Sequence, residues 1–354
     1  MADITNLLVE QVLAAREQKQ PLRIVGGGSK DFMGRAVDMS LSELNLAEHS
    51  GIVSYHPVEL VLTARAGTPL TELETALAEN NQMLSFEPPR FGEGSTLGGT
   101  LATNLSGPGR PWWSSVRDQV LGIRLINGYG EHLRFGGQVM KNVAGYDVSR
   151  LQAGALGTLG AMTEVSLKVL PKPASTRTLV SDCELGEAVS IMNQRAAQPK
   201  PITAACWLDN RLYIRLSGAH SAVDATAAQW GGEELEDADV FWQQLRDQQL
   251  EFFSTDQPLW RFSVNPTARM PQLSGGWLVD WGGAQRWYSG AADFAEMEQI
   301  AKAAGGQVSL FRGGDRSGEV MHSPSPAAQV LQQRLKQAFD PDGLFNPGRL
   351  YSWM

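Results

Sequence analysis

The sequence predicts an α+β fold, and three observations carry that expectation. Helical patterns alternate with antiparallel strand pairs rather than with single parallel strands. Two hairpin signals, Asn127-Gly128 and Asp209-Asn210, sit between strand-like runs. A long stretch, residues 87–173, alternates glycine-rich turns with short apolar segments. In it, Gly98, Gly99 and Gly107 stand among Thr96, Thr100, Thr103, Asn104 and Ser106. Glycine lets a backbone approach a ligand closely, and successive N–H groups in such turns form an anion nest. Singly, each glycine can serve a tight turn. Interleaved with uncharged hydroxyl and amide side chains, the cluster suits a large neutral-to-anionic ligand.

The elements follow in order. Residues 3–19 read as an amphipathic helix with Leu7, Leu8, Val12 and Leu13 on one face, ended by Pro21. Leu22 to Val25 is a short strand running into Gly26-Gly27-Gly28-Ser29-Lys30. A strand ending in such a loop cradles phosphate. The spacing is neither that of a P-loop nor that of a Rossmann fingerprint. Strands are expected at residues 51–55 and 60–66, then a helix from Thr68-Pro69-Leu70 to about Asn80, with Thr68 as its cap. Beyond the Asn127-Gly128 hairpin, Gly154, Gly157 and Gly160 precede a strand over 162–170. Residues 174–316 give helices at 187–197, 222–230, 240–249 and 291–304. They also give strands at 202–207, 211–216, 260–264, 277–281 and 307–311. This pattern fits a ferredoxin-like α+β layer.

Composition narrows the function. A formal charge of −8 argues against a nucleic-acid binder. Two cysteines, Cys183 and Cys206, fit a reducing compartment and are too few for an iron–sulfur cluster held by this chain alone. No apolar run approaches the roughly 18 residues of a membrane span, and no secretory signal is visible. The five histidines, His49, His56, His132, His220 and His322, show no metal-ligand spacing. Some of the ten tryptophans fall in the middle region, as aromatic core or as a partner surface.

The order of motifs resembles a known family. These are the Gly26–Lys30 loop, Gly67-Thr-Pro-Leu, Thr96-Leu-Gly-Gly, Thr103-Asn104, Arg117-Asp118, Gly145-Tyr-Asp147, Gly157-Thr-Leu-Gly160 and the terminal segment from Asp340 to Gly348. They resemble the FAD-linked oxidases of the vanillyl-alcohol oxidase/p-cresol methylhydroxylase type. The Pro88-Pro89 segment, Val139 to Asp147 and Trp281-Gly-Gly-Ala284 are most similar to the smaller FAD-binding subunits of bacterial glycolate oxidases.

That resemblance implies a two-subdomain FAD-binding domain over 1–172, a reduced cap over 173–320 and a return segment over 321–354. It implies FAD bound by Gly26, Gly27, Gly28, Ser29, Lys30, Pro88, Thr96, Gly98, Gly99, Thr103, Asn104, Gly157, Gly160, Val165 and Asn346. The pyrophosphate is expected between the first loop and the Thr96–Asn104 turn, where a side chain at Gly27 or Gly98 would displace a phosphate oxygen. Asn346 is expected near the ring system. Both glycine loops lack His and Cys, so the link is expected to be noncovalent.

Two functions stand open. One is an FAD-carrying subunit of a multi-subunit glycolate (2-hydroxy-acid) dehydrogenase or oxidase. It would work beside a larger FAD subunit and an iron–sulfur subunit, held at the cytoplasmic face of the inner membrane by those partners. The other is a self-sufficient FAD dehydrogenase for glycolate or D-lactate. Its weak catalytic candidates are His322, Arg312 and Arg316. Arginine suits bidentate carboxylate binding. The cap lacks the histidine cluster by which related dehydrogenases hold a metal, which favours the first.

Overall fold

The structure is a computed structural model and describes residues 3–137 and 146–354. Of the Val139 to Asp147 motif, residues 139–145 lie outside the described residues.

The N-terminal part is built on a five-stranded antiparallel sheet. Its spatial order is Ile52–His56, Val61–Arg65, Ala161–Lys168, Val120–Ile126 and His132–Gly136. The central strand Ala161–Lys168 is buried along most of its length. Helix Leu70–Ala78 lays Leu70, Leu73 and Leu77 on this sheet, beside Leu97 and Leu101 of helix Leu97–Thr103. A smaller layer pairs Leu22–Val25 in parallel with Ser42–Asn45. The return segment joins it through a parallel bridge from Phe345 to Leu22.

Helix Thr5–Gln18 covers this layer with Leu8, Val12 and Ala15, while the expected Leu7 and Leu13 are half exposed. The stripe follows the i, i+4, i+7 spacing of a helix face rather than the nearest apolar pairs. Thr68 is not the cap of Leu70–Ala78. Its hydroxyl donates to the Arg65 carbonyl and accepts from the Gly51 N–H, tying two strand ends together. The Asn127-Gly128 hairpin forms, but the left-handed residue is Gly130. The Asn127 Oδ1 accepts from the N–H groups of Tyr129 and Glu131, which closes a longer loop. Gly128 is small for a different reason, since a Cβ there would lie 2.6 Å from Asp340 Oδ1.

Residues 175–312 form an eight-stranded sheet, antiparallel at every pairing. The expected ferredoxin-like layer is present twice. Strands Ser175–Asp182, Ile202–Leu208, Arg211–Gly218 and Glu233–Glu234 lie in the spatial order fourth, first, third, second. Strands Leu259–Ser263, Gly276–Asp280, Gln285–Ser289 and Gln307–Arg312 repeat that order. The two units join at their second strands, through Trp207 and Val279. Asp209 and Asn210 are both left-handed, at φ 49° and 56°, as a two-residue type I′ hairpin requires. In the second unit a loop replaces the first helix. Strand Gln285–Ser289 and helix Pro326–Phe339 carry no sequence expectation. The strand follows a tight turn at Trp281–Gly283, and the helix has no fully buried residue. One face of the sheet meets the N-terminal part, where Met33 and Leu105 pack with Cys206, Leu278, Trp287 and Phe311.

Candidate functional site

Two cavities meet at the seam between these layers. The first is a cleft open to solvent. It is lined by the loop 26–30, Thr96, Gly98, Gly99, Thr103, Gly157, Gly160 and Asn346. The sequence brings these residues together because their glycines let backbones touch. A Cβ on Gly27 would lie 1.4 Å from the Gly94 carbonyl oxygen, and one on Gly98 would lie 2.8 Å from the Ala66 Cβ. Both vectors point into the protein, so the expectation that a side chain there would first displace a phosphate is corrected. Gly28 does need its left-handed conformation, at φ 71°. Thr96 to Asn104, expected as a turn, is the helix Leu97–Thr103, capped by the Thr96 hydroxyl.

The polar groups facing the cleft suit an anion. The successive backbone N–H groups of Gly26, Gly27, Gly28, Ser29 and Lys30 donate to no other described residue. Lys30 is buried, and its Nζ donates to the hydroxyls of Ser29 and Ser95. Burial pushes its pKa down to about 8, with Asp247 opposing the shift. Arg349, which the sequence reading missed, also lines the cleft beside Asp31. It lies three residues past Asn346, and only the fold brings it back to the first loop. Asn346 lines the cleft and spends one acceptor site and one N–H of its amide on the protein itself. Its Oδ1 accepts from the Ile24 N–H at 2.9 Å and its Nδ2 donates to the Leu156 carbonyl at 2.7 Å. It pins the cleft floor.

Three expected contacts lie elsewhere. Val165 is fully buried in the core of the five-stranded sheet. Pro88 is buried and lines neither cavity. Asn104 lines the second cavity, and its buried Oδ1 has no hydrogen-bond partner among the described residues.

That second cavity is open to solvent and shares Thr103 and Leu156 with the first. Arg110, Arg261, Trp281, Arg316 and His322 are among its walls. The Arg316 guanidinium is spent on the backbone carbonyls of Gly34 and Leu310, and burial pushes its pKa down to about 10. Arg312 does not line the cavity. It donates to the Phe253 carbonyl and stacks on Phe32. His322 remains at the wall, with Nδ1 3.6 Å from Glu298. The sequence reading missed Arg110 and Arg261, which are isolated in sequence and converge only across the seam.

A model described as an FAD binding domain matches residues 5–136. The glycolate oxidase subunit GlcE of Escherichia coli (strain K12) is 49% identical over 99% of this chain and 98% of its own length. The chain belongs to the glycolate oxidase subunit GlcE family, within the FAD-linked oxidases. Glycolate oxidase subunit GlcD of Bacillus subtilis (strain 168) is 36% identical over 34% of this chain and 26% of its own. Solved structures of alkyldihydroxyacetonephosphate synthase align at a TM-score of 0.66 and 15% identity, covering 97% of this chain and 75% of theirs. That likeness shows the fold alone.

FAD is the cofactor of this family, and the residues present fit it. The free N–H row with Lys30 and Arg349 matches a pyrophosphate. The orphaned Asn104 oxygen offers an acceptor for a ring N–H. No His or Cys lines the first cleft, while His322 lies in the adjoining cavity.

Proposed function

We propose that this chain is the FAD-binding subunit of a multi-subunit glycolate (2-hydroxy-acid) dehydrogenase or oxidase. One observation carries the reading: the free N–H row of the 26–30 loop, set beside Lys30 and Arg349 in a cleft that adjoins a second cavity. The end-to-end likeness to a glycolate oxidase subunit supports the substrate class.

In this reading residues 1–172 hold most of the cofactor site, 173–320 form the cap and 321–354 return to close the cleft. The 26–30 loop, Lys30 and Arg349 hold the phosphates. Asn346 and Gly157 fix the floor. The cap sheet roofs the cavity and excludes water. Bound FAD supplies a two-electron acceptor for a CH–OH donor and is held without a covalent link. Electrons then pass to an iron–sulfur subunit, beside a larger flavoprotein subunit. No helix among the described residues is long and apolar enough to cross a membrane. Those partners are taken to hold the chain at the cytoplasmic face of the inner membrane.

Oxidation of glycolate removes the α C–H with its electron pair and the hydroxyl proton, which needs a base at the hydroxyl. Among the described residues no three His, Cys, Asp or Glu side chains are grouped to hold a metal. The lone chain is therefore expected to turn over slowly. The test is anaerobic mixing of glycolate or D-lactate with the purified flavin-loaded chain. Slow bleaching alone, with rapid bleaching once the companion subunits are added, is expected. Fast bleaching by the lone chain, lost in His322→Ala, makes it a self-sufficient enzyme. Protein that shows no flavin after incubation with FAD overturns the reading.

A further inference from the structure

The second cavity is lined by two arginines that have no carboxylate within ion-pair distance among the described residues, although Asp280 acts on Arg261 and Asp118 on Arg110 from farther off. Arg110 and Arg261 both line it. Arg110 comes from the short helix Arg110–Trp113 of the N-terminal part, and Arg261 from the cap strand Leu259–Ser263. Their guanidinium carbons lie 4.6 Å and 5.2 Å from the centre of the Trp281 ring. Among the described residues neither takes part in an ion pair. Among the described residues Arg110 makes no hydrogen bond through its side chain, and Arg261 makes one, from Nε to Gln285 Oε1 at 2.7 Å. That single bond orients the fork and leaves both terminal nitrogens free of described partners.

The scaffold around the pair is held firmly. Trp281 adopts a left-handed conformation at φ 54°, costly for an aromatic residue. The Asp280 carboxylate accepts from its N–H at 2.7 Å, and its indole donates to the Gly107 carbonyl at 2.9 Å. Arg215 pairs with Glu87 at 2.7 Å, and Glu87 also accepts from the Gly109 N–H next to Arg110. Arg110, exposed at the surface, and the buried Arg261 thus act on each other at a cavity that adjoins the cofactor cleft at Thr103 and Leu156.

We propose that Arg110 and Arg261, set across Trp281, form a binding site for a small monocarboxylate, a 2-hydroxy acid or its 2-oxo product. The inference rests on the FAD reading above, because the cavity adjoins that cleft at Thr103 and Leu156. It gives this chain the cation that a substrate carboxylate needs, while the base remains to be supplied. Arginine is suited to the role by its planar, bidentate fork.

The experiment uses the flavin-loaded chain. Released flavin per chain is read first, and its absence overturns the parent reading and this one with it. Calorimetric titration and flavin difference spectra then compare glycolate, acetate, sulfate and the neutral ethylene glycol. Saturable binding of glycolate and acetate, with none of ethylene glycol, is expected. Arg261→Gln and Arg110→Gln should each weaken glycolate binding by about tenfold or more, the scale of one lost charged hydrogen bond, with flavin content unchanged. Arg269→Gln, remote from the cavity walls, should bind as wild type does. Should Arg261→Gln fail to fold, Arg261→Lys keeps the charge and loses the fork, and the same weakening is expected. Wild-type affinity in these variants, or equal binding of glycolate and ethylene glycol, overturns the carboxylate site while the flavin reading stands. Sulfate binding as tight as glycolate overturns the carboxylate class.

Discussion

Gly27 and Gly94 cross with their backbones in contact, so that a Cβ on either would lie within 2.8 Å of the other's carbonyl oxygen. Gly27→Val is therefore expected to force the two loops apart, lowering the melting temperature and abolishing flavin retention together. Gly28→Ala meets only Asp31 Oδ2, at an ordinary 3.7 Å, and is strained by its φ of 71°, at about 1–2 kcal/mol. It should melt slightly earlier and keep its flavin. Thermal melts with flavin counted per chain check both. A Gly27→Val protein with wild-type melting and flavin would dismiss the backbone-contact argument.

Much of the fold was legible because its local signals are strong. The Asp209-Asn210 turn acts within two residues, and the strand Leu22–Val25 runs straight into its glycine loop. What sequence reasoning missed depends on distant partners. Strand Gln285–Ser289 is recognisable only beside Leu259–Ser263 and Gly276–Asp280. The glycine loops announced the cleft, but not that their Cβ vectors point away from it. Arg349, Arg110 and Arg261 sit in no motif. Arg316 read as a carboxylate ligand, and the fold instead uses it to bind carbonyls.

Asn346 bridges the return segment to both faces of the cleft floor. Asn346→Ala leaves the part-buried Ile24 N–H and the buried Leu156 carbonyl without these partners. A buried unsatisfied group costs about 1–3 kcal/mol, so a loss of about 2 kcal/mol or more in denaturant unfolding is expected. Because Gly157 abuts the Asn346 amide, flavin affinity should fall as well. Unchanged unfolding would show that neither bond contributes to stability.

Arg316→Met is expected to act on stability and not on chemistry. The guanidinium joins Gly34 of the N-terminal part to Leu310 of the cap. Its removal should lower the melting temperature while leaving the rate of flavin bleaching per folded chain unchanged. A lost bleaching rate with wild-type melting would return Arg316 to the list of substrate ligands.

Lys30 gives flavin binding a pH dependence. Burial holds its pKa near 8 in the free protein, and a neighbouring phosphate raises it. Binding then takes up a proton between pH 8 and the higher bound value. Affinity should be full below pH 8 and fall above it. Lys30→Met should bind more weakly at pH 7 and show a flatter profile. Parallel profiles for the two proteins, measured by fluorescence titration of FAD, would remove Lys30 from the phosphate site.

Asp280 sets the pH dependence of the fold itself. Burial raises its carboxyl from 3.8 to about 7, with the Trp281 N–H opposing the shift and Glu87 reinforcing it. Between those two values the folded protein holds a proton that the unfolded chain has released. The contribution is thus full below about pH 4, declines as pH rises and is gone above pH 7. Asp280→Asn keeps an acceptor for the Trp281 N–H and needs only a turn of the Gln285 amide to keep that contact. It should melt at nearly the same temperature at pH 5 and pH 8, where the wild type loses stability. Scans at both pH values, with flavin content held equal, decide the matter. If the wild type and the variant lose the same amount, the carboxyl is already ionised in the folded protein, and the Arg261 side of the cavity carries a balancing negative charge.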